Sequence, residues 1–109
     1  MISWADFEKI EIRSGTILEV TDFPKAKKPA YQLKIDFGPL GIKQSSAQIT
    51  HHYSASELVG KQIIAVVNFP PKQIANFFSE CLVLGVYDHQ NQVVLLQPER
   101  KVDNGQLIG

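Results

Sequence analysis

Residues 68–80 carry the side chains of this sequence that are best suited to binding a ligand. They include an amide, a lysine, a hydroxyl, a carboxylate and three aromatic rings, namely Asn68, Phe69, Lys72, Phe77, Phe78, Ser79 and Glu80. Aromatic rings can stack on nucleobases, while amides and hydroxyls can read the base edges of single-stranded RNA. The same rings could instead hold apolar side chains of a peptide, or Phe77 and Phe78 could close one end of the core. The segment predicts a binding loop for RNA or peptide.

No other reactive residues are arranged as an active site. The pair His51-His52 lacks a cysteine pair or a further histidine at metal-ligand spacing, so we interpret it as part of a solvated loop. Cys81 starts an apolar run without a catalytic partner nearby, which favours a buried, unreactive thiol. Ser45 and Ser46 lack the context of a nucleophile elbow. The sequence therefore predicts a non-enzymatic protein with no catalytic residue, no metal site and no cofactor.

Short strands separated by turns must position the binding loop. Residues 31–37 alternate apolar and polar side chains without a fault, which indicates a half-buried strand. Gly15 interrupts an earlier strand and indicates a bulge or a sharp bend there. Two capping boxes, Ser3 with Asp6 and Ser54 with Glu57, predict short helices. Further strands are predicted over residues 42–49 and 63–67, and at residues 82–87 and 93–96, which flank a hairpin loop.

This pattern predicts an all-β fold. Five strands with a helix between the third and the fourth are the plan of an OB fold, a Greek-key barrel that commonly binds oligonucleotides. The strand pattern alone would also fit another small β-barrel or a β-sandwich. The length of 109 residues suits a single domain, residues 1–109, with a core of its own.

Charge is distributed unevenly along a chain whose formal net charge is zero. Residues 1–22 have a net charge of −3, whereas residues 23–43 have a net charge of +4. A neutral protein can still present a basic face to phosphates, because attraction depends on the local field. A run of solvated lysines explains the same pattern equally well. No signal peptide, no membrane-spanning run and a single cysteine predict a cytoplasmic protein without membrane contact.

Several segments resemble the tRNA-binding-domain family. Residues 11–17 are similar to the family's opening Asp-Ile-Arg-Val-Gly-x-Ile strand, with Glu11 and Ser14 as mild departures. The CsaA branch of the family is resembled in particular by residues 23–38, 43–50, 59–61, 68–71, 79–80 and 93–98. Phe23 stands where synthetase-type members carry histidine, and Ala75 stands where relatives commonly carry glycine. If the backbone there needs a positive φ, alanine would be strained.

The resemblance implies an OB-fold homodimer that binds tRNA without catalysis. The residues that stand in matching motif positions, and that it implies for RNA binding, are Arg13, Ser46, Gln48, Asn68, Lys72, Ser79 and Glu80. The alternative is an export-related secretion chaperone, as the CsaA branch is described, that binds apolar segments of unfolded preproteins. For that alternative we expect Phe69, Phe77 and Phe78 to contact the peptide. The apolar chain ends, with Trp4, Phe7 and Leu107-Ile108, independently favour a dimer interface.

Overall fold

The fold is built almost entirely from strands, with two helices of five and four residues. A computed structural model describes all of residues 1–109. The helices are α1 (Trp4–Glu8) and α2 (Ala55–Leu58), and a 3-10 turn covers Gly38–Leu40. The strands are β1 (Ile12–Asp22), β2 (Tyr31–Asp36), β3 (Ile42–Ala47), β4 (Gln62–Val66), β5 (Lys72–Ile74), β6 (Phe77–Ser79), β7 (Leu82–Val83), β8 (Gly85–Tyr87) and β9 (Val93–Leu95).

The main sheet has five antiparallel strands in the order β3-β2-β1-β4-β7. Strand β1 lies at its centre and is long enough to pair twice, with β4 along its first half and with β2 along its second. The sheet curls until its two edge strands, β3 and β7, come into contact. The predicted all-β, five-stranded OB-type barrel is therefore confirmed, with α2 between the third and fourth strands.

The alternation predicted for residues 31–37 fixes which face of β2 enters the core. Tyr31, Leu33, Ile35 and Phe37 are all buried, while the residues between them are more exposed. They belong to a cluster of 12 buried residues that fills the barrel. Burying apolar area of this kind supplies most of the favourable free energy of folding.

Gly15 has a packing role, and the bulge of β1 lies further along the strand. The pairing of β1 with β2 shifts register between Ile17 and Glu19, so the extra residue is Leu18. A Cβ atom on Gly15 would come within 2.7 Å of both Ile35 and Phe37. The glycine thus lets the Phe37 ring lie directly against β1. The bulge thus lies three residues beyond Gly15, and the sharp bend that was the alternative at Gly15 stays a prediction.

Both predicted capping boxes are present. The Ser3 side chain accepts from the Asp6 backbone N–H while the Asp6 carboxylate accepts from the Ser3 N–H, and Ser54 and Glu57 make the equivalent pair. Helix α2 buries Leu58, whereas α1 buries none of its residues. The longest helix has five residues, so none could cross a membrane, which takes about 20 residues.

The segment predicted as an irregular binding loop contains a second small sheet. Strands β5 and β6 form a hairpin with Lys72 opposite Ser79 and Ile74 opposite Phe77. Ala75 lies in its turn with a φ of 54°, the left-handed region that favours glycine. The positive φ that we considered for this position is therefore present. Beyond it, β8 and β9 form the predicted hairpin around residues 88–92.

Candidate functional site

A groove of about 1250 Å³ runs along the end of β3. One wall is formed by the end of β3 and the turn that follows it, residues 46–51. The rest of the wall is formed by the β4–β5 connection, the β5–β6 hairpin, β7 and the β8–β9 hairpin, together with Lys28 and Pro29. Five of the seven predicted RNA-binding residues line this groove: Ser46, Gln48, Lys72, Ser79 and Glu80. Residues up to 34 positions apart in sequence, Ser46 and Glu80, are thus brought to one surface.

Two of these residues have side chains without partners in the protein. Gln48 and Lys72 are exposed and make no side-chain hydrogen bond or ion pair with another residue. Their amide and ammonium groups can therefore contact a ligand without breaking an internal interaction. Lys28 also lines the groove, and it lies in the lysine-rich loop noted in the sequence. With Glu80 as the acidic residue among those lining the groove, the local balance is basic.

Ser79 and Glu80 attach the β5–β6 hairpin to the edge of β3. The Ser46 N–H donates to Ser79 Oγ over 3.1 Å, and the Gln44 N–H donates to Glu80 Oε1 over 2.9 Å. The Glu80 N–H in turn donates to the Gln44 carbonyl over 2.8 Å. These bonds leave Glu80 Oε2 without a protein donor, so the carboxylate can still accept from a ligand. Both residues therefore combine a structural role with a position in the groove.

The three aromatic residues of the segment lie in different environments. Phe69 lines the groove and is 55% exposed. Phe77 is 9% exposed and packs edge-on against Phe23, with ring centroids 5.4 Å apart, so its ring belongs to a small core cluster with Ala30. Phe78 points to the opposite side of the hairpin and is 50% exposed, but it does not line the groove. Of the three, Phe69 is the ring that the groove offers to a ligand.

Arg13 and Asn68 lie outside the groove, in a depression of about 600 Å³ that we call the terminal cleft. Arg13 Nε donates to Glu11 Oε1 over 2.7 Å, and Arg13 Nη1 donates to the Gly105 carbonyl over 2.6 Å. Asn68 Oδ1 accepts from the Glu11 N–H, and Asn68 Nδ2 donates to the Lys9 carbonyl. Both side chains thus fasten the terminal segments to the barrel. The structure does not bring them to the other five predicted residues.

Apolar side chains form much of the terminal cleft. They are Trp4, Phe7, Ile10, Leu107 and Ile108. Trp4 is 82% exposed, a large value for an indole ring. The C-terminal segment lies antiparallel to the first half of β1, where the Ile108 N–H donates to the Ile12 carbonyl. The two chain ends therefore form one exposed apolar surface, as the sequence predicted from their composition.

The groove is also lined by residues that sequence reasoning did not select as site residues. Tyr87 and Asn91 reach it from the β8–β9 hairpin, and His51 reaches it from the turn after β3. The hairpin itself was recognised, but its position beside β3 depends on how the barrel closes. No sequence signal marked these residues as site residues.

The histidine pair and the cysteine have local structural partners. His52 Nε2 lies 2.7 Å from Asp88 Oδ2, so the pair links the turn after β3 to the β8–β9 hairpin. The Gln92 N–H and His52 hold the pKa of Asp88 below its ordinary value. Burial raises the pKa of the Cys81 thiol to about 11. The sequence interpretation of Cys81 as a buried thiol is confirmed, and such a pKa makes it a poor nucleophile.

The barrel is shared with known proteins. The family model described as "Putative tRNA binding domain" matches residues 12–107. The chaperone CsaA of Bacillus anthracis superposes with a TM-score of 0.95 at 50% identity, covering 100% of this chain and 99% of that one. The CsaA chaperone protein of Picrophilus torridus superposes with a TM-score of 0.94 at 57% identity, covering both chains fully.

Longer proteins contain the same domain. The methionine–tRNA ligase of Bacteroides fragilis is 36% identical over 104 residues, which are 95% of this chain but 15% of that protein. The methionine–tRNA ligase of Porphyromonas gingivalis is 36% identical over 107 residues, again 15% of its length. The chain thus spans about 15% of these curated relatives. The expected resemblance is confirmed: the chain belongs to the tRNA-binding-domain family and is similar over its whole length to CsaA chaperones.

Proposed function

We propose that the protein binds tRNA, without catalysis, in the groove beside β3. The observation that carries the proposal is that five of the residues at the family's motif positions converge on this one surface, two of them with unpartnered polar side chains. The groove lies between the loops and strand edge where OB folds commonly bind oligonucleotides. Family membership supports tRNA as the nucleic acid.

Each class of side chain in the groove suits one part of a single-stranded RNA. Lys28 and Lys72 would contact phosphates, and the exposed rings of Phe69 and Tyr87 would stack on unpaired bases. Gln48 carries both a donor and an acceptor and would hydrogen-bond a base edge. Because these groups are exposed and unpaired with one another, none of them needs to be released before RNA binds.

We further propose that the protein acts as a homodimer joined at the terminal cleft. Exposed apolar side chains of both chain ends meet there, and such surfaces usually serve an interface. A two-fold dimer would present two grooves to one tRNA, which raises the affinity by multivalency. Sedimentation equilibrium at micromolar concentration should give the dimer mass, and a stable monomer would contradict the proposal.

We also propose that residues 1–109 form one domain, which the family match over residues 12–107 supports. A tRNA ligand and the single buried cysteine agree with a cytoplasmic location.

A second candidate function is a chaperone that binds unfolded preproteins in the same groove. Its specific support is the full-length similarity to two chaperones, together with the exposed apolar groups Phe69, Leu82 and Tyr87 along one groove wall. Peptide binding through these groups would depend on apolar contact rather than on phosphate charge.

A filter-binding titration with bulk tRNA at about 50 mM and 200 mM salt tests the first candidate. We expect saturable binding that weakens steeply with salt, because released counterions drive phosphate contacts. A parallel titration with an unfolded preprotein tests the second. Undetectable tRNA binding together with salt-insensitive preprotein binding would reject the first candidate in favour of the second.

A further inference from the structure

We propose that the outer edge of the chain at Ser46–Gln48 accepts an extended polypeptide as an added β-strand. This inference rests on the second candidate function and specifies how the groove would hold a polypeptide. Edge strands with unpaired backbone groups readily take up another strand, and several peptide-binding domains use this mode.

The register of β3 determines which of its backbone groups point away from the sheet. Residues of β3 pair with β2 so that Ser45 lies opposite Leu33 and Ala47 opposite Tyr31. The Gln44 N–H and carbonyl both bond to Glu80, on the side away from β2. Because bonding direction alternates along an antiparallel strand, the backbone groups of Gln44 and Ser46 face outward, and Gln48, the first residue after β3, would continue this alternation.

The first part of this outer edge is covered and the last part is open. The Gln44 groups are occupied by Glu80, and the Ser46 N–H donates to Ser79 Oγ. The Ser46 carbonyl has only a 3.4 Å contact with the Ser45 hydroxyl, whose proton is directed to the Cys81 carbonyl at 2.9 Å. Neither backbone group of Gln48 has a hydrogen-bond partner in the protein. The unpaired backbone groups of this edge therefore begin at the Ser46 carbonyl, directly after the groups that bond to Ser79 and Glu80.

Apolar side chains form part of the wall of the same groove. Phe69, Leu82 and Tyr87 line the groove and are about half exposed or more. A strand added at Gln48 would present alternate side chains to this wall, because successive side chains of a strand point to opposite faces. Lys28 and Lys72 at the same groove favour an uncharged or acidic segment over a basic one. The occupant is thus an extended segment with alternating apolar side chains and without lysine or arginine.

The backbone spacing favours a polypeptide over RNA at this edge. Outward N–H and carbonyl groups recur every second residue, about 7 Å apart along a strand, which is the repeat of an extended chain. Only another peptide backbone repeats both donor and acceptor at that interval. RNA could use the side chains of the groove without using this ladder.

Peptides with blocked amides test the inference on the unaltered protein. The probe is an acetylated, amidated nonapeptide of alternating valine and threonine with aspartate at each end, titrated by calorimetry. Two variants of it carry N-methyl groups on every second amide, one on the odd and one on the even positions. We expect one variant to lose binding by about tenfold or more and the other to bind as the parent does, since an added strand donates alternate amides only. Equal affinities of the two variants would overturn the inference.

A proline substitution in the protein tests the same edge without altering the peptide. Gln48→Pro removes the open N–H but breaks no internal hydrogen bond. The preceding residue, Ala47, lies in β3, and extended backbone is what a residue before proline adopts. Gln48→Ala is the matched control, since it removes the side chain and keeps the N–H. We expect peptide binding by the proline variant to be about tenfold weaker than that by Gln48→Ala, and hydrogen exchange of the Gln48 amide to slow in the wild-type complex. If the proline variant does not fold, the methylated peptides alone decide.

The outcomes separate this inference from the proposed functions. A probe that binds equally well in both methylated forms leaves a peptide-binding groove but excludes strand addition. A parent probe that fails to bind at all overturns the inference, while the unfolded-preprotein titration and the tRNA titration report independently on the second and the first candidate function. Loss of tRNA binding in Gln48→Ala but not of peptide binding supports separate use of the side chain and the backbone.

Discussion

Lys72 provides a quantitative test of RNA binding in the groove. Its ammonium group is exposed, lines the groove and has no acidic partner in the protein. If this group contacts a phosphate, Lys72→Ala removes that contact. RNA binding to the variant then releases fewer counterions than RNA binding to the wild type. The substitution itself should change the free energy of unfolding by no more than about 0.5 kcal/mol, because the side chain is exposed.

The expected effect follows from the two lysines of the groove. Each phosphate contact contributes about −0.7 to −0.9 to the slope of log K against log salt. Lys28 and Lys72 together would contribute about −1.4 to −1.8 per groove. Lys72→Ala should halve that contribution. Over a fourfold rise in salt, the variant's affinity should therefore fall about threefold less than that of the wild type.

Fluorescence polarisation of labelled tRNA between about 50 and 200 mM salt measures both slopes. Lys101→Ala is the matched control, because Lys101 is exposed, has no ion pair and does not line the groove. Its slope should equal that of the wild type if only groove lysines contact RNA. A Lys72→Ala slope equal to the wild-type slope, in a folded protein, would remove Lys72 from the RNA site and refute the reasoning.

Three further predictions concern the barrel. Gly15→Ala should destabilise by about 1–3 kcal/mol in urea unfolding, because the added Cβ would overlap Ile35 and Phe37; an unchanged midpoint would show that β1 can shift freely. Ala75→Gly should stabilise by up to about 1 kcal/mol, since relief of the left-handed strain exceeds the added entropy of the unfolded chain; a loss of stability would mean that the turn is not strained. As pH rises from 9 to about 11, the free energy of unfolding should fall by about 2–3 kcal/mol, because the Cys81 thiol ionises in the unfolded chain while its raised pKa keeps it protonated in the folded protein. Cys81→Ala should abolish this part of the pH dependence. A variant with the same pH dependence as the wild type would contradict the prediction.

The sequence was most informative where one local rule decides the structure. The alternation in residues 31–37 determined which side chains of β2 are buried, and each capping box is formed within four consecutive residues. The bulge at Leu18 was missed because no local rule demands it. Its position follows from how β1 passes from β4 to β2, and Gly15 was a misleading sign because it serves the close approach of Phe37.

The residues that meet at the site were harder to predict from the sequence, because their meeting depends on closure of the barrel. Gln48 and Lys72 lie 24 positions apart in sequence and meet across the groove only because the β5–β6 hairpin is tied to β3. Asn68 lies four residues before Lys72 but lines the terminal cleft, where it bonds to the backbone of Glu11 and Lys9. Proximity in sequence therefore suggested a common site for two residues that the fold separates.

Glu80 both lines the groove and attaches the β5–β6 hairpin to β3, so a Glu80 variant can lose affinity for either reason. Replacing Glu80 by alanine would remove a possible ligand contact, but it would also leave the Gln44 N–H without its partner, at a cost of about 1–3 kcal/mol if that group stays dry. The hairpin that carries Lys72 would loosen at the same time, and weaker RNA binding would follow even if Glu80 never touched RNA. Gln48 has no such internal bond. Loss of affinity in Gln48→Ala therefore reports on ligand contact, whereas loss in a Glu80 variant reports first on the attachment of the hairpin to β3.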